Sequence, residues 1–249
     1  MKSRASVILV FIGGMIISSA AHAVLIDFKA LAEPSGIGES AWNTLMFQVD
    51  GSHTTNAADA FLNITGTNGT NSYAYLDSNG AGLGVCGALY NLGDANHSTS
   101  SGANLCSPSN DDNVSYHNGT PETLHFVFDD AVVIKNIWFN NNHDGDQSLL
   151  NDYVGLGVDG ATSPMQLTNG GKLQDSKLQL DLMLGAGQSL DVGFLPGTTA
   201  GECRGTSLTY DNCEFYISKI EFSTVPEPAT LALLGLGLIG VGAMRLRQR

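Results

Sequence analysis

Apolar and polar positions alternate with a period of two through much of the chain between residues 24 and 224. In Thr123–Phe128, Leu124, Phe126 and Phe128 fall on one side and Thr123 and His125 on the other. Lys177–Leu182 sets Leu178, Leu180 and Leu182 against Lys177, Gln179 and Asp181, and Ser189–Phe194 repeats the pattern with Leu190, Val192 and Phe194. A period of two marks strands with one buried face. Val132–Phe139 is apolar at nearly every position, Lys135 and Asn136 excepted, which predicts a central strand covered on both faces. Val24–Leu31, Thr44–Val49, Ala60–Thr65, Tyr73–Leu76, Tyr153–Val158 and Phe215–Phe222 are further strand candidates. Between them lie Asn68-Gly69, Asn79-Gly80, Asn118-Gly119, Asp159-Gly160 and Asn169-Gly170, dipeptides suited to turns with positive φ. There is no convincing amphipathic helix and no repeat of fixed period. An all-β fold is therefore predicted, an antiparallel β-sandwich or jelly-roll-like domain. Asn91–Asn118 is long, polar and poor in strand formers, a length that usually marks a functional or mobile loop.

The pattern breaks at both ends. Lys2 and Arg4 precede the apolar run Val7–Ile17, and Ala21-His22-Ala23 places small residues where a signal peptidase reads. Residues 1–23 are predicted to be a secretory signal peptide, cleaved after Ala23. At the other end Val225-Pro226-Glu227-Pro228 is followed by the uncharged span Ala229–Met244 and then by Arg245, Arg247 and Arg249. The prolines interrupt a strand. An apolar span satisfies its backbone in a bilayer only as a helix, and the arginines hold its end on the cytoplasmic side. The helix would reach about 24 Å against a hydrocarbon core of about 30 Å, short for a permanent anchor. Gly235, Gly237, Gly240 and Gly242 weaken it further. An ordinary single-pass anchor with a glycine-rich pairing face is the other reading.

The order of Val225-Pro226-Glu227-Pro228, glycine- and leucine-rich span and basic stop resembles a PEP-CTERM sorting signal, the substrate motif of the membrane protease-transpeptidase exosortase. The resemblance covers residues 225–249. It implies a Gram-negative bacterium that secretes exopolysaccharide. It also implies a precursor anchored in the inner membrane, removal of the tail near Pro226-Glu227-Pro228, and delivery to the cell surface or extracellular matrix. A looser resemblance to a recurring PEP-CTERM cargo pattern spans roughly residues 75–145. It rests on Gly82–Cys86, Ser109–Val114, Glu122-Thr123-Leu124 with Phe126 and Phe128, Ile137-Trp138-Phe139 and His143. It implies a β-sandwich and no known activity.

Charge narrows the partners of the stretch 24–224, which is long enough for one sizeable core or two small ones. Lys29, Lys135, Lys172, Lys177, Arg204 and Lys219 face twenty-three acidic residues, a net of −17. Such a surface repels nucleic acid and anionic lipid and suits divalent cations. The four cysteines fit an oxidising compartment and allow three pairings. Cys86–Cys106 and Cys203–Cys213 are expected, because each pair brackets a Gly/Ser/Asn-rich segment. A zinc site is disfavoured by the wide spacing.

Two clusters carry the densest oxygen donors. One is Asn110-Asp111-Asp112-Asn113 with Glu122 downstream; the other is His143-Asp144-Gly145-Asp146 with Asn151 and Asp152. Asp111, Asp112, Asp144 and Asp146 are candidate calcium ligands, since calcium wants six to eight hard oxygens, although neither segment is in register with an EF-hand. Solvated acidic turns are the plainer alternative. Catalytic signals are weak: His53, His97, His117, His125 and His143 accompany no Gly-x-Ser-x-Gly elbow and no His-Glu-x-x-His helix. Trp138 reads as core, and Trp42, beside a Gly/Ser-rich loop, as the better candidate for a sugar-stacking surface. The expectation is a non-enzymatic structural or adhesive protein, processed by signal peptidase and exosortase, with exopolysaccharide as its candidate partner. The alternatives are a calcium-dependent carbohydrate-binding module and an extracellular polysaccharide-active enzyme.

Overall fold

The computed structural model describes residues 23–68, 72–91, 95–99, 104–107, 112–117, 120–140, 153–166, 176–194 and 215–225. The chain opens with β1 (Ala23–Asp27) and a single helical turn, α1 (Phe28–Ala32). There follow β2 (Glu39–Trp42), β3 (Leu45–Phe47), β4 (His53–Thr54), β5 (Leu62–Thr67), β6 (Tyr73–Asp77) and β7 (Gly82–Cys86). Next come the short β8 (His97–Thr99), β9 (Tyr116–His117) and β10 (Thr120–Pro121), then β11 (Thr123–Phe128) and β12 (Val132–Asn140). The last are β13 (Tyr153–Val158), β14 (Ala161–Gln166), β15 (Ser176–Leu184), β16 (Ser189–Phe194) and β17 (Tyr216–Thr224).

The alternating segments build two antiparallel sheets. One is eight-stranded among the described residues, in the order β15-β12-β17-β7-β6-β2-β8 with β1 alongside β17; the other runs β14-β13-β16-β11-β5-β3-β4. A minor ladder joins β9 to β10. Leu124, Phe126 and Phe128 of one sheet face Ile137, Phe139, Ile220 and Phe222 of the other, and all are fully buried. Phe128 meets Phe222 edge-on at 5.0 Å, and Phe61 stacks on Phe222 at 5.9 Å. Edge and offset contacts suit the ring quadrupole, so this aromatic seam adds to the hydrophobic gain of closing the layers. His22–Val225 forms one compact unit.

β17 is an interior strand. It pairs with β12 on one side and with β1 and β7 on the other, in register from Ala23↔Ser223 to Asp27↔Lys219. The first and last strands of the unit are therefore neighbours, and the larger sheet is incomplete until residues 216–224 are in place.

Several expectations need correction. Val24–Leu31 is not one strand. It breaks at Asp27, whose carboxylate accepts the Ala30 N–H at 3.0 Å and caps α1; an N-cap oxygen satisfies a donor that the helix leaves open. Phe28 then turns inward against Phe47 and Phe126 at 6.0 and 6.5 Å. β12 is interior, as predicted, but Val133, Lys135 and Trp138 on its outer face are only half-buried. The two tryptophans exchange roles. Trp42 is 7 % exposed, donates its indole N–H to Ser40 Oγ at 2.8 Å and packs on His53 at 4.9 Å. Trp138 stands half-exposed with the Lys177 ammonium 5.2 Å from its ring centre. The described parts of Asn91–Asn118 are held against the sheet: β8 pairs with β2, and Leu105, Cys106 and Val114 are buried.

Candidate functional site

Asp112 and Asn113, the described part of the predicted acidic loop, are buried. Gly84 on β7 has no side chain, and the backbone of Asp112 and Asn113 crosses it so closely that the Val85 N–H donates to the Asn113 carbonyl at 3.2 Å. This puts the Asp112 carboxylate, 1 % exposed, beneath the loop. Its Oδ1 accepts from the Tyr216 hydroxyl at 2.7 Å, and its Oδ2 accepts from the Asn104 amide. Asn104 Oδ1 accepts the Cys106 N–H at 2.8 Å, beside the expected Cys86–Cys106 disulfide, which is present. Closing a loop of this size contributes roughly 3 kcal/mol in the chain-entropy account.

The same network continues to Glu39. Its Oε1 accepts from the Tyr75 hydroxyl at 2.6 Å and its Oε2 from Ser78 Oγ, and Tyr75 Oη in turn accepts the Leu105 N–H at 2.9 Å. Burial first, then the bond to Glu39, push the Tyr75 phenol far above its ordinary range; the charges of Glu39 and Asp77 act the same way. Tyr75 is thus a permanent neutral donor here. A third acid, fully buried Glu122, accepts the Ser115 N–H and Oγ at 3.0 Å each, while its own N–H donates to the Ser115 carbonyl. The arrangement ties residues 104–107 and 112–115 to β2, β6 and β17 through charge-assisted bonds, which are stronger than neutral ones. Among the described residues no three or more His, Cys, Asp or Glu side chains are grouped to hold a metal. Asp111, Asp144 and Asp146 lie outside the described residues, as do Cys203 and Cys213.

A second constellation, not singled out in the sequence, sits on the outer face of the other sheet. His125 Nδ1 lies 2.6 Å from Asp191 Oδ1 across β11 and β16, and Asp191, 1 % exposed, also accepts the Gly160 N–H. A buried carboxylate that orients a half-exposed imidazole resembles part of a catalytic triad. Among the described residues, however, no serine, threonine or cysteine is hydrogen-bonded to this ring, so the geometry supplies an orienting pair and no nucleophile. The alternation that places both residues on outward faces was the available signal; the register joining them was not.

His53 gives the fold a pH dependence. Desolvation between Trp42 and Phe47 lowers its pKa. With the folded value below the unfolded one of about 6.5, the neutral ring's contribution is full above that value and is lost as pH falls toward the folded one. The difference in melting temperature between the wild type and His53→Phe should therefore shift in favour of the variant as pH falls from 7.5 to 5.5. A pH-independent difference would contradict this.

The end of β17 leads to the sorting segment. Thr224 closes the strand, and the Val225 N–H donates to the Ala131 carbonyl at 2.9 Å, so the last described residue is still bonded to the sheet. Pro226, Glu227, Pro228, Arg245, Arg247 and Arg249 lie outside the described residues. The family model of the PEP-CTERM protein-sorting motif matches residues 224–248. No curated protein matches the chain. The chain thus carries the sorting motif expected from its sequence, and that motif marks an exported protein sorted through exosortase from a membrane-anchored precursor in Gram-negative bacteria.

Proposed function

We propose, starting from a chain that carries a PEP-CTERM sorting motif, that the domain 24–224 is delivered to the cell surface or exopolysaccharide matrix. There it serves as a structural or adhesive component without enzymatic chemistry. One observation carries this: the edges of the fold coincide with the two processing points. β1 starts at Ala23, where signal peptidase would cut, and β17 ends at Thr224, where the matched motif begins. Among the described residues, removing both ends costs the sheets the terminal pair Ala23↔Ser223 and leaves the packed sandwich in place. The inward use of Glu39, Asp112 and Glu122 supports the same view, since these acids hold loops to the sheet rather than line a cleft.

Replacing Pro226, Glu227 and Pro228 together by alanine tests the sorting step. The expected outcome is a chain about as abundant as wild type, retained in the inner membrane, with its tail intact and little protein at the surface. Unchanged surface delivery and an unchanged shortened mass would overturn the proposal.

A further inference from the structure

Among the described residues of this acidic chain, the lysines and arginines are Lys29, Lys135, Lys177 and Lys219, and all four lie on or beside the outer face of β15, β12, β17 and β1. Register puts Lys177, Trp138, Lys219 and Asp27 in one row across the four strands. Trp138, half-exposed, is the centre of that row. The Lys177 ammonium stands 5.2 Å from its ring centre, and Lys219 Nζ lies 3.2 Å from Asp27 Oδ2. Past Asp27 the row runs into a small open pocket of about 240 Å³ lined by Asp27, Lys29, Ala30, Glu33, Gly80 and Lys219.

We propose that this row and pocket form one binding site for an acidic glycan, with a pyranose ring on Trp138 and separate carboxylates of the glycan on Lys177 and Lys219. The inference rests on delivery to a polysaccharide-bearing surface and names the site that would hold the polymer. A half-exposed indole offers an apolar face to the C–H face of a sugar, and ammonium groups on the strands at either side of it suit a uronate. The Lys219–Asp27 pair is partly exposed and weak, so a ligand carboxylate can displace it. Trp138 and Asp27 are two strand spacings apart, about 10 Å, the span of a disaccharide. The pocket is smaller than a drug-sized site and takes a single sugar substituent.

The other polymers fit less well. Trp138 and Lys219 sit on the interior strands β12 and β17, so a peptide strand added along β15 or β1 would pair beside the indole rather than cover it. Duplex nucleic acid carries one charge per about 1.7 Å, far denser than the ammonium groups of this row, which stand two strand spacings apart, about 10 Å. The chain's net charge of −13 keeps the affinity for each glycan contact low, and many copies on one polymer make up for that through avidity.

The test uses the full-length chain in detergent with polygalacturonate as the probe and a neutral glucan as control. Wild type is expected to bind polygalacturonate and not the glucan. Trp138→Ala should bind about tenfold more weakly. Lys177→Gln combined with Lys219→Gln should lose most of the salt-sensitive binding at an unchanged melting temperature, which separates lost recognition from lost folding. Several results would overturn the proposal: no binding by wild type, equal binding of both polymers, wild-type affinity in Trp138→Ala, or a Trp138-dependent dimer that forms without glycan and excludes it. Processing is scored separately by intact mass before any polymer is added, so a sorting failure is not mistaken for a binding failure.

Discussion

Gly84→Ala is expected to remove about 4 kcal/mol or more of the domain's stability. A Cβ at this position would stand 2.8 Å from Asn113 Cα and 2.9 Å from the Asp112 carbonyl carbon, and closer still to the Asp112 oxygen. All three are backbone atoms of the crossing loop, so no side chain can turn aside. The loop must lift, and lifting it breaks the Val85–Asn113 bond and the seat of the Asp112 carboxylate. A cost of about 4 kcal/mol or more is a large part of the stability of a domain this size. Gly187→Ala is the matched control. It has a positive φ of 75° and nothing within 4 Å of its added Cβ, so only backbone strain of about 1 kcal/mol is expected. Urea unfolding of both variants decides the matter; similar small losses would show that the loop does not press on β7.

Asp112→Ala should be nearly as damaging for a different reason. It removes the acceptor of the Tyr216 hydroxyl and the Asn104 amide and leaves both donors under a closed loop. A hydrogen bond to a charged group contributes about 1.5–3 kcal/mol, so losing two costs about 3–6 kcal/mol. Tyr216→Phe, which deletes the hydroxyl bond to Asp112 and keeps that of Asn104, should lose roughly half as much. The loss in Asp112→Ala should be the same in a chelator and in millimolar calcium, because the carboxylate is satisfied by protein donors. A loss that appears only with calcium present would make Asp112 a metal ligand instead.

Strands with one buried face were the legible part of the fold. Thr123–Phe128, Tyr153–Val158 and Ser189–Phe194 coincide with β11, β13 and β16, because a sheet that faces water on one side writes its register into the sequence. Glu39–Trp42 escaped the pattern for the opposite reason. All four of its residues are buried, Glu39 and Ser40 included, so no alternation marks the strand. The helical turn Phe28–Ala32 hid inside an apolar run, and Asp27 was its only local sign. The sorting motif was legible because it is contiguous, and Cys86–Cys106 because the two cysteines bracket one loop. The buried acids were not. Asp112 looks like a member of a solvated acidic turn until Tyr216, 104 positions away, supplies its donor. The two tryptophans were read the wrong way round, since proximity to a polar loop says little about which side of a sheet an indole occupies.

The intact mass of the protein recovered from the cell surface or matrix tests the central claim most directly. A chain sorted through its carboxy-terminal motif should have lost residues 1–23 and most of residues 229–249, while keeping β1 from Val24 onward and β2 through β17 whole. A surface-derived chain that still ends at Arg249 would contradict it.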